Sequence, residues 1–184
     1  CHSSAKIELN MDDIGSTQPQ DIEYVEKEFD KALDLHERGD LDGAASLYKN
    51  LLQIHPLHSL VLNSYGTLFY QKGDFLDGCR LIKKSIILDP NISIFCNRMG
   101  VVKRRQGDID GACKMFERAL LIEEQYEANL NLCETYLEQN SPEAALEYGR
   151  RAVALAPNSF LGHLRLATTL RLVGKFNDAI AEGE

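Results

Sequence analysis

Apolar positions along this chain recur at the spacing of helix faces and do not alternate as they would along strands. From Leu60 to Lys72 the residues Leu62, Tyr65, Leu68 and Phe69 fall at helical spacing. Gly73-Asp74 then interrupts the pattern, with a glycine able to take the left-handed conformation that closes a helix. A second amphipathic run extends from Leu76 to Leu88. Asp89-Pro90 ends it, because the residue before a proline is pushed out of the helical region. The pattern predicts two antiparallel helices joined by a tight turn.

The same unit recurs along the chain. Gly39-Asp40, Gly73-Asp74 and Gly107-Asp108 are spaced by 34 residues. Asn140-Ser141 and Gly174-Lys175 continue the series. Pro56, Pro90 and Pro157 keep the same clock, with Glu123-Glu124 where a fourth proline would fall. Small residues recur before each turn (Ala32, Gly66, Gly100, Cys133, Ala167) and after it (Ala44, Gly78, Ala112, Ala145, Ala179), in steps of 34, 34, 33 and 34. These small residues have a physical role. Antiparallel helices approach closely only where a side chain is missing, so Gly66 is expected to face the neighbourhood of Gly78, with Phe69 and Ile82 filling the space around them.

This period and residue pattern resemble the tetratricopeptide repeat family over residues 21–184. The unit from Ser59 to Pro90 carries the small residue, turn glycine, second small residue and closing proline at the family's places. The resemblance implies an all-α fold, a right-handed α-solenoid of antiparallel helix pairs with about 4.5 units. The expected units are 21–58, 59–92, 93–125, 126–159 and a truncated 160–184, preceded by a flexible tail over 1–20. Two residues depart from the pattern. Lys103 stands where a large apolar residue is usual, and Gly149 stands where an aromatic is usual, with Tyr148 beside it. The third unit is one residue short near Glu123 to Tyr126, where a local change of superhelical twist is expected. A pentatricopeptide array, which binds RNA, has a similar period but is disfavoured by the acidic balance and the Gly-Asp turns.

Composition narrows the function classes. Asp and Glu number 28 against 20 Lys and Arg, a net charge of −8, which argues against wrapping nucleic acid or an anionic membrane. No run reaches the roughly 18 to 20 apolar residues of a membrane-spanning helix. The five cysteines contain no CxxC pair, and those inside helical patterns read as buried free thiols of a reducing compartment, which points to the cytoplasm. Cys1 followed by a polar stretch is similar to the mature start of a bacterial lipoprotein, so an envelope location is the alternative. At the other end the last helix stops at Glu184 without a polar cap. The sequence therefore reads as a fragment of something longer, with self-association possible through the open end.

No catalytic constellation stands out, so the chain reads as a non-enzyme with no cofactor and no metal. There is no GxSxG, Gly-rich phosphate loop or HExxH, and His55 and His58 lack a third ligand nearby. The Lys103-Arg104-Arg105 cluster reads as one solvated helix end, suited to a helix C-terminus. What remains is a surface. In the resembled family the first helices of the units line a concave groove that binds a peptide or a partner's helix. Helical spacing puts Leu60, Asn63, Ser64, Ile94, Asn97, Arg98, Arg105, Asn131 and Arg165 on that face. Asn63, Asn97 and Asn131 come close to a ladder of amides, able to donate to and accept from a peptide backbone. Leu60, Ile94, Leu161 and Leu164 add apolar contacts, and charge alternates from Arg98 and Arg105 through an acidic fourth unit to Arg165. The expected function is a protein-interaction scaffold for a partly apolar, mixed-charge segment. The groove has no Lys at the first-helix places where some family members clamp a terminal carboxylate. Two alternatives remain: a non-catalytic N-terminal part of a larger bacterial enzyme of the O-GlcNAc-transferase kind, or a lipid-anchored envelope assembly factor.

Overall fold

The computed structural model describes residues 19–181, with side chains from Glu23 onward. The described residues form helices alone: α1 (Pro19–Glu37), α2 (Leu41–Ile54), α3 (Ser59–Gln71), α4 (Phe75–Leu88), α5 (Ser93–Arg105), α6 (Ile109–Ile122), α7 (Tyr126–Glu138), α8 (Pro142–Leu155), α9 (Phe160–Leu172) and α10 (Phe176–Ala181). The tail expected over 1–20 lies outside the described residues, except that residues 19 and 20 already belong to α1.

The Gly-Asp pairs do two jobs at each turn. Gly39, Gly73, Gly107 and Gly174 all have φ between 78° and 89°, where a side chain would be strained. Asn140 takes the same role at φ 55°. The residue after each one bonds back to the carbonyl five positions earlier, as from Asp74 N to Phe69 O and from Asp108 N to Lys103 O, which closes the first helix of the pair. The same aspartates then open the next helix. Asp40, Asp74 and Asp108 accept at a side-chain oxygen from the backbone N–H three residues on, at 3.0, 3.2 and 3.0 Å. The fourth turn lacks such a cap, and Pro142 supplies a preset φ instead.

The chain forms two compact units, Cys1–Ile54 and His55–Glu184. In the first, α1 packs on α2 around Ala32, Ala44, Tyr48 and Leu51, all buried. His36 Nδ1 lies 3.3 Å from the Tyr48 hydroxyl. In the second, α3 pairs with α4, α5 with α6, α7 with α8 and α9 with α10, and each pair stacks on the next. The helices of a pair approach at their small residues. A Cβ on Gly78 would stand 2.7 Å from the Gly66 carbonyl oxygen, and one on Gly66 would stand 2.9 Å from the Gly78 carbonyl oxygen. Gly66 therefore does face Gly78.

Both departures from the family pattern are accommodated. Lys103 turns outward to the cap of the next helix, with Nζ 2.6 Å from Asp108 Oδ2. The space beside Gly149 is occupied by Cys133 Sγ and Leu166, while Tyr148 stacks on Tyr136 with ring centroids 5.6 Å apart. The link from α6 to α7 is one residue shorter than its counterparts, in keeping with the missing residue near Glu123. There Ser93 donates to Glu123 Oε2 at 2.9 Å, the same contact that Ser59 makes with Asp89 one unit earlier.

Candidate functional site

Within the second unit α3 touches α5, α5 touches α7 and α7 touches α9, whereas the even-numbered helices touch no even-numbered neighbour. A stack in which one row of helices is in mutual contact and the other row is spread apart curves toward the first row. The odd-numbered helices therefore line the inner side of the stack, and every expected site residue belongs to one of them.

The structure divides those residues into two groups. Leu60, Ile94 and Arg105 are exposed, as a binding face needs. Leu161 and Leu164 on α9 are also exposed. Asn63, Ser64 and Asn97 are buried, and this corrects the expectation that the asparagines present their amides to a ligand. Asn63 is 0% exposed; its Nδ2 donates to Ser85 Oγ at 2.9 Å and its Oδ1 accepts from Arg98 Nη1 at 2.6 Å. Asn131 Nδ2 donates to Asn97 Oδ1 at 3.0 Å, from α7 to α5. The amide ladder exists, but its rungs run between helices. A buried amide without a partner is costly, so these side chains bond to one another and fix the spacing of the inner helices.

Arginines extend that network. Arg98, half-buried, reaches back from α5 to α3, donating also to Ser64 Oγ at 3.4 Å. Arg104 and Arg165 converge on one carboxylate: Arg104 Nη1 lies 3.1 Å from Glu134 Oε2 and Arg165 Nε lies 2.8 Å from Glu134 Oε1. This triad ties α5, α7 and α9 together. Arg105 instead lies over the Tyr70 ring, 5.6 Å from its centroid. Burial pushes the Tyr70 phenol above its usual value, and the neighbouring Arg105 charge pulls it partly back. The three residues of the Lys103-Arg104-Arg105 cluster thus point to three partners: Asp108, Glu134 and Tyr70. The sequence reading of one solvated helix end gives way to this arrangement.

Sequence reasoning missed Ser85, Arg104 and Tyr70. Ser85 had a signal, being a polar residue in register with Leu51, Ala119 and Ala152. Tyr70 and Arg104 are themselves in register, 34 residues apart, but their contacts depend on side-chain reach across helices.

Two depressions open on this face. One, of about 310 Å³, is lined by Glu134, Leu137, Glu138 and Arg165. The other, of about 220 Å³ and almost wholly apolar, lies between α3 and α5 over Ile82. Among the described residues there is no group of three or more His, Cys, Asp or Glu able to hold a metal ion. His58 is a helix cap, accepting from Val61 N at 3.4 Å, and burial holds its imidazole below the usual value. No described helix is long and apolar enough to cross a membrane.

Solved structures share this architecture. The crystal structure of MamA superposes with a TM-score of 0.69 at 19% identity, covering 82% of this chain and 89% of that one. Pseudomonas aeruginosa pilF gives 0.77 at 19% identity, covering 89% and 78%. YrrB, described as a TPR protein with an unusual peptide-binding site, gives 0.68 at 19% identity, covering 75% and 72%. At such identities the likeness concerns the fold. No curated protein matches the sequence closely enough to count as a relative. The sequence model of the tetratricopeptide repeat family matches residues 29–90 and 97–160, more than half of the chain. The repeat period, the helix pairs closed by Gly-Asp turns and this match together make the chain a member of the tetratricopeptide repeat family.

Proposed function

We propose that the inner face of α3, α5, α7 and α9 docks a segment of a partner protein, and that the chain acts as an interaction scaffold without chemistry of its own. The observation that carries this reading is the contrast between fixed and open side chains on one face. Asn63, Asn97, Asn131, Arg98, Arg104, Glu134 and Arg165 bond across helices and hold the surface in shape. Leu60, Ile94, Leu161 and Leu164 stand between them with about 40% of their surface in water. A preorganised face loses little freedom on binding, and apolar side chains already in place supply contact area. The family at large supports the same class of function, since tetratricopeptide proteins bind protein or peptide partners. Four cysteines carry free thiols, Cys79, Cys96, Cys113 and Cys133, which favours a reducing, cytoplasmic setting.

Site-specific photo-crosslinking in the source cell tests the reading. A crosslinking residue at Leu60, Ile94 or Leu161 is expected to capture the same partner. One at Leu76 or Ile87, exposed on the even-numbered helices, is expected to capture none. Capture from the even-numbered helices alone would overturn it.

A further inference from the structure

The even-numbered helices carry a feature of their own, away from the inner side. An open depression of about 360 Å³ lies between α6 and α8, lined by Glu117, Leu120, Leu121, Glu124, Tyr148 and Arg151. Leu121 is 88% exposed, and no other large apolar side chain among the described residues is more exposed. The Tyr148 ring is fixed by stacking on Tyr136 and by Arg151 over its face, 5.9 Å from the centroid. The charges are unbalanced. Arg151 is the one cation among the lining residues, and it is shared between Glu124 at 3.5 Å and Glu147 at 4.0 Å. Glu117 accepts from the neutral Tyr136 hydroxyl at 3.3 Å, while Arg118 next to it donates to Pro90 O at 3.0 Å. Three carboxylates thus stand against one guanidinium. Their field is felt at the Tyr148 phenol: burial raises it, Glu117 and Glu147 raise it further, and Arg151 offsets less than either. The repeat does not require these acids. In register with Glu117 the other units have Lys49, Lys83 and Arg150, and in register with Glu124 they have Pro56, Pro90 and Pro157. The acidic character belongs to this place and not to the repeat.

We infer that this depression is a second docking surface, for a partner segment that sets a lysine or arginine beside a large apolar side chain. The apolar side chain covers Leu121 and Tyr148, and the basic group meets Glu117 and Glu124. Leu121 supplies apolar area that water otherwise surrounds, and the already stacked Tyr148 loses little freedom on binding. The carboxylates left in excess select basic segments and speed their encounter. The surface is separate from the inner side, so the inference does not depend on the docking role proposed above.

The probe is a library of random dodecapeptides displayed on phage, selected on the purified chain and counter-selected on its Leu121→Asp variant. Recovered sequences are made as synthetic peptides acetylated at the N-terminus, which removes the terminal amine. Binding is read by fluorescence anisotropy. The expected peptides pair a Leu, Ile, Phe or Met with a neighbouring Lys or Arg. Replacing the apolar residue by Ala, or the base by Glu, is expected to weaken binding about tenfold or more, with no change to the protein. Glu117→Lys is expected to do the same. It installs the kind of residue that the other units carry at this place, and Leu121 is exposed, so unchanged thermal midpoints are expected to show both variants folded. Ile94→Asp, on the inner side, is expected to leave binding of these peptides unchanged. A selection that yields no peptide dependent on Leu121 would overturn the inference. Leu121-dependent peptides with no preference for a basic residue and no response to Glu117→Lys would overturn it as well. Either result leaves the docking role of the inner side to its own cross-linking test.

Discussion

Asn63 donates to Ser85 and accepts from Arg98, and both bonds lie within the protein. Its exposure is 0%, so its contribution is to the fold and only indirectly to a ligand. Removing the amide takes one hydrogen bond from the Ser85 hydroxyl and one from the Arg98 guanidinium, each of which keeps another. A typical hydrogen bond contributes about 0.5–1.5 kcal/mol net, so the two together are worth about 1–3 kcal/mol. Asn63→Ala is accordingly expected to lower stability by roughly that amount in chemical denaturation. Arg105→Ala, at an exposed residue whose main contact is the Tyr70 ring, is expected to cost about 0.5–1 kcal/mol or less. Equal losses for the two would mean that Asn63 is not the keystone of the α3–α4–α5 contact.

At the scale of elements, α3 and α4 approach closely through their backbones at Gly66 and Gly78. The backbone carbonyls of Gly66 and Gly78 stand where a Cβ on the other residue would go. Alanine is the better helix former by about 1 kcal/mol, which by itself favours Gly78→Ala. Against that stands a backbone oxygen 2.7 Å from the new methyl, which cannot swing aside as a side-chain tip would. Overpacking of this kind costs typically about 1–3 kcal/mol, so the steric term wins. Gly78→Ala is expected to destabilise the chain net by about 0–2 kcal/mol, although Ala44, Ala112 and Ala145 occupy the same register elsewhere. Thermal unfolding of the variant checks this, and a raised midpoint would show that the pair relaxes apart without cost.

At the scale of the whole molecule, the aromatic residues set an alkaline limit. Burial, then the nearby Glu117 charge, pushes the Tyr136 phenol from 10.0 up to about 12. Burial raises Tyr65, Tyr70 and Tyr148 in the same direction. The folded state holds these protons more tightly than the unfolded state does. Their contribution to stability is therefore complete below the unfolded value and is lost as pH rises through the folded one. For Tyr136 that window runs from pH 10.0 to about 12. Denaturation midpoints should fall across it, and Tyr136→Phe should flatten the fall. A variant that loses stability across the window as steeply as the wild type would assign the effect to other groups.

Helix boundaries and turns were legible in the residue order because they arise from contacts between near neighbours. A glycine at positive φ followed by an aspartate cap needs only five or six residues, and it recurs with the period of 34. The approach of Gly66 to Gly78 was legible too, since a missing side chain on each side of a helical hairpin permits close packing. Leu60, Ile94 and Arg105 are exposed, in keeping with their helical spacing. Which polar side chains stay available was decided by tertiary structure. Asn63 and Arg98 are 35 residues apart, Asn97 and Asn131 are 34 apart, and Arg104 and Glu134 are 30 apart. Whether such pairs meet depends on side-chain reach between stacked helices, which periodicity does not encode. The sequence alone determined the repeat and the turns that close its helices. Only the stacking of the helices determined that the amides on the inner side hold the scaffold together while its leucines and isoleucines stay open, because burial of an amide obliges it to find its partners inside the protein.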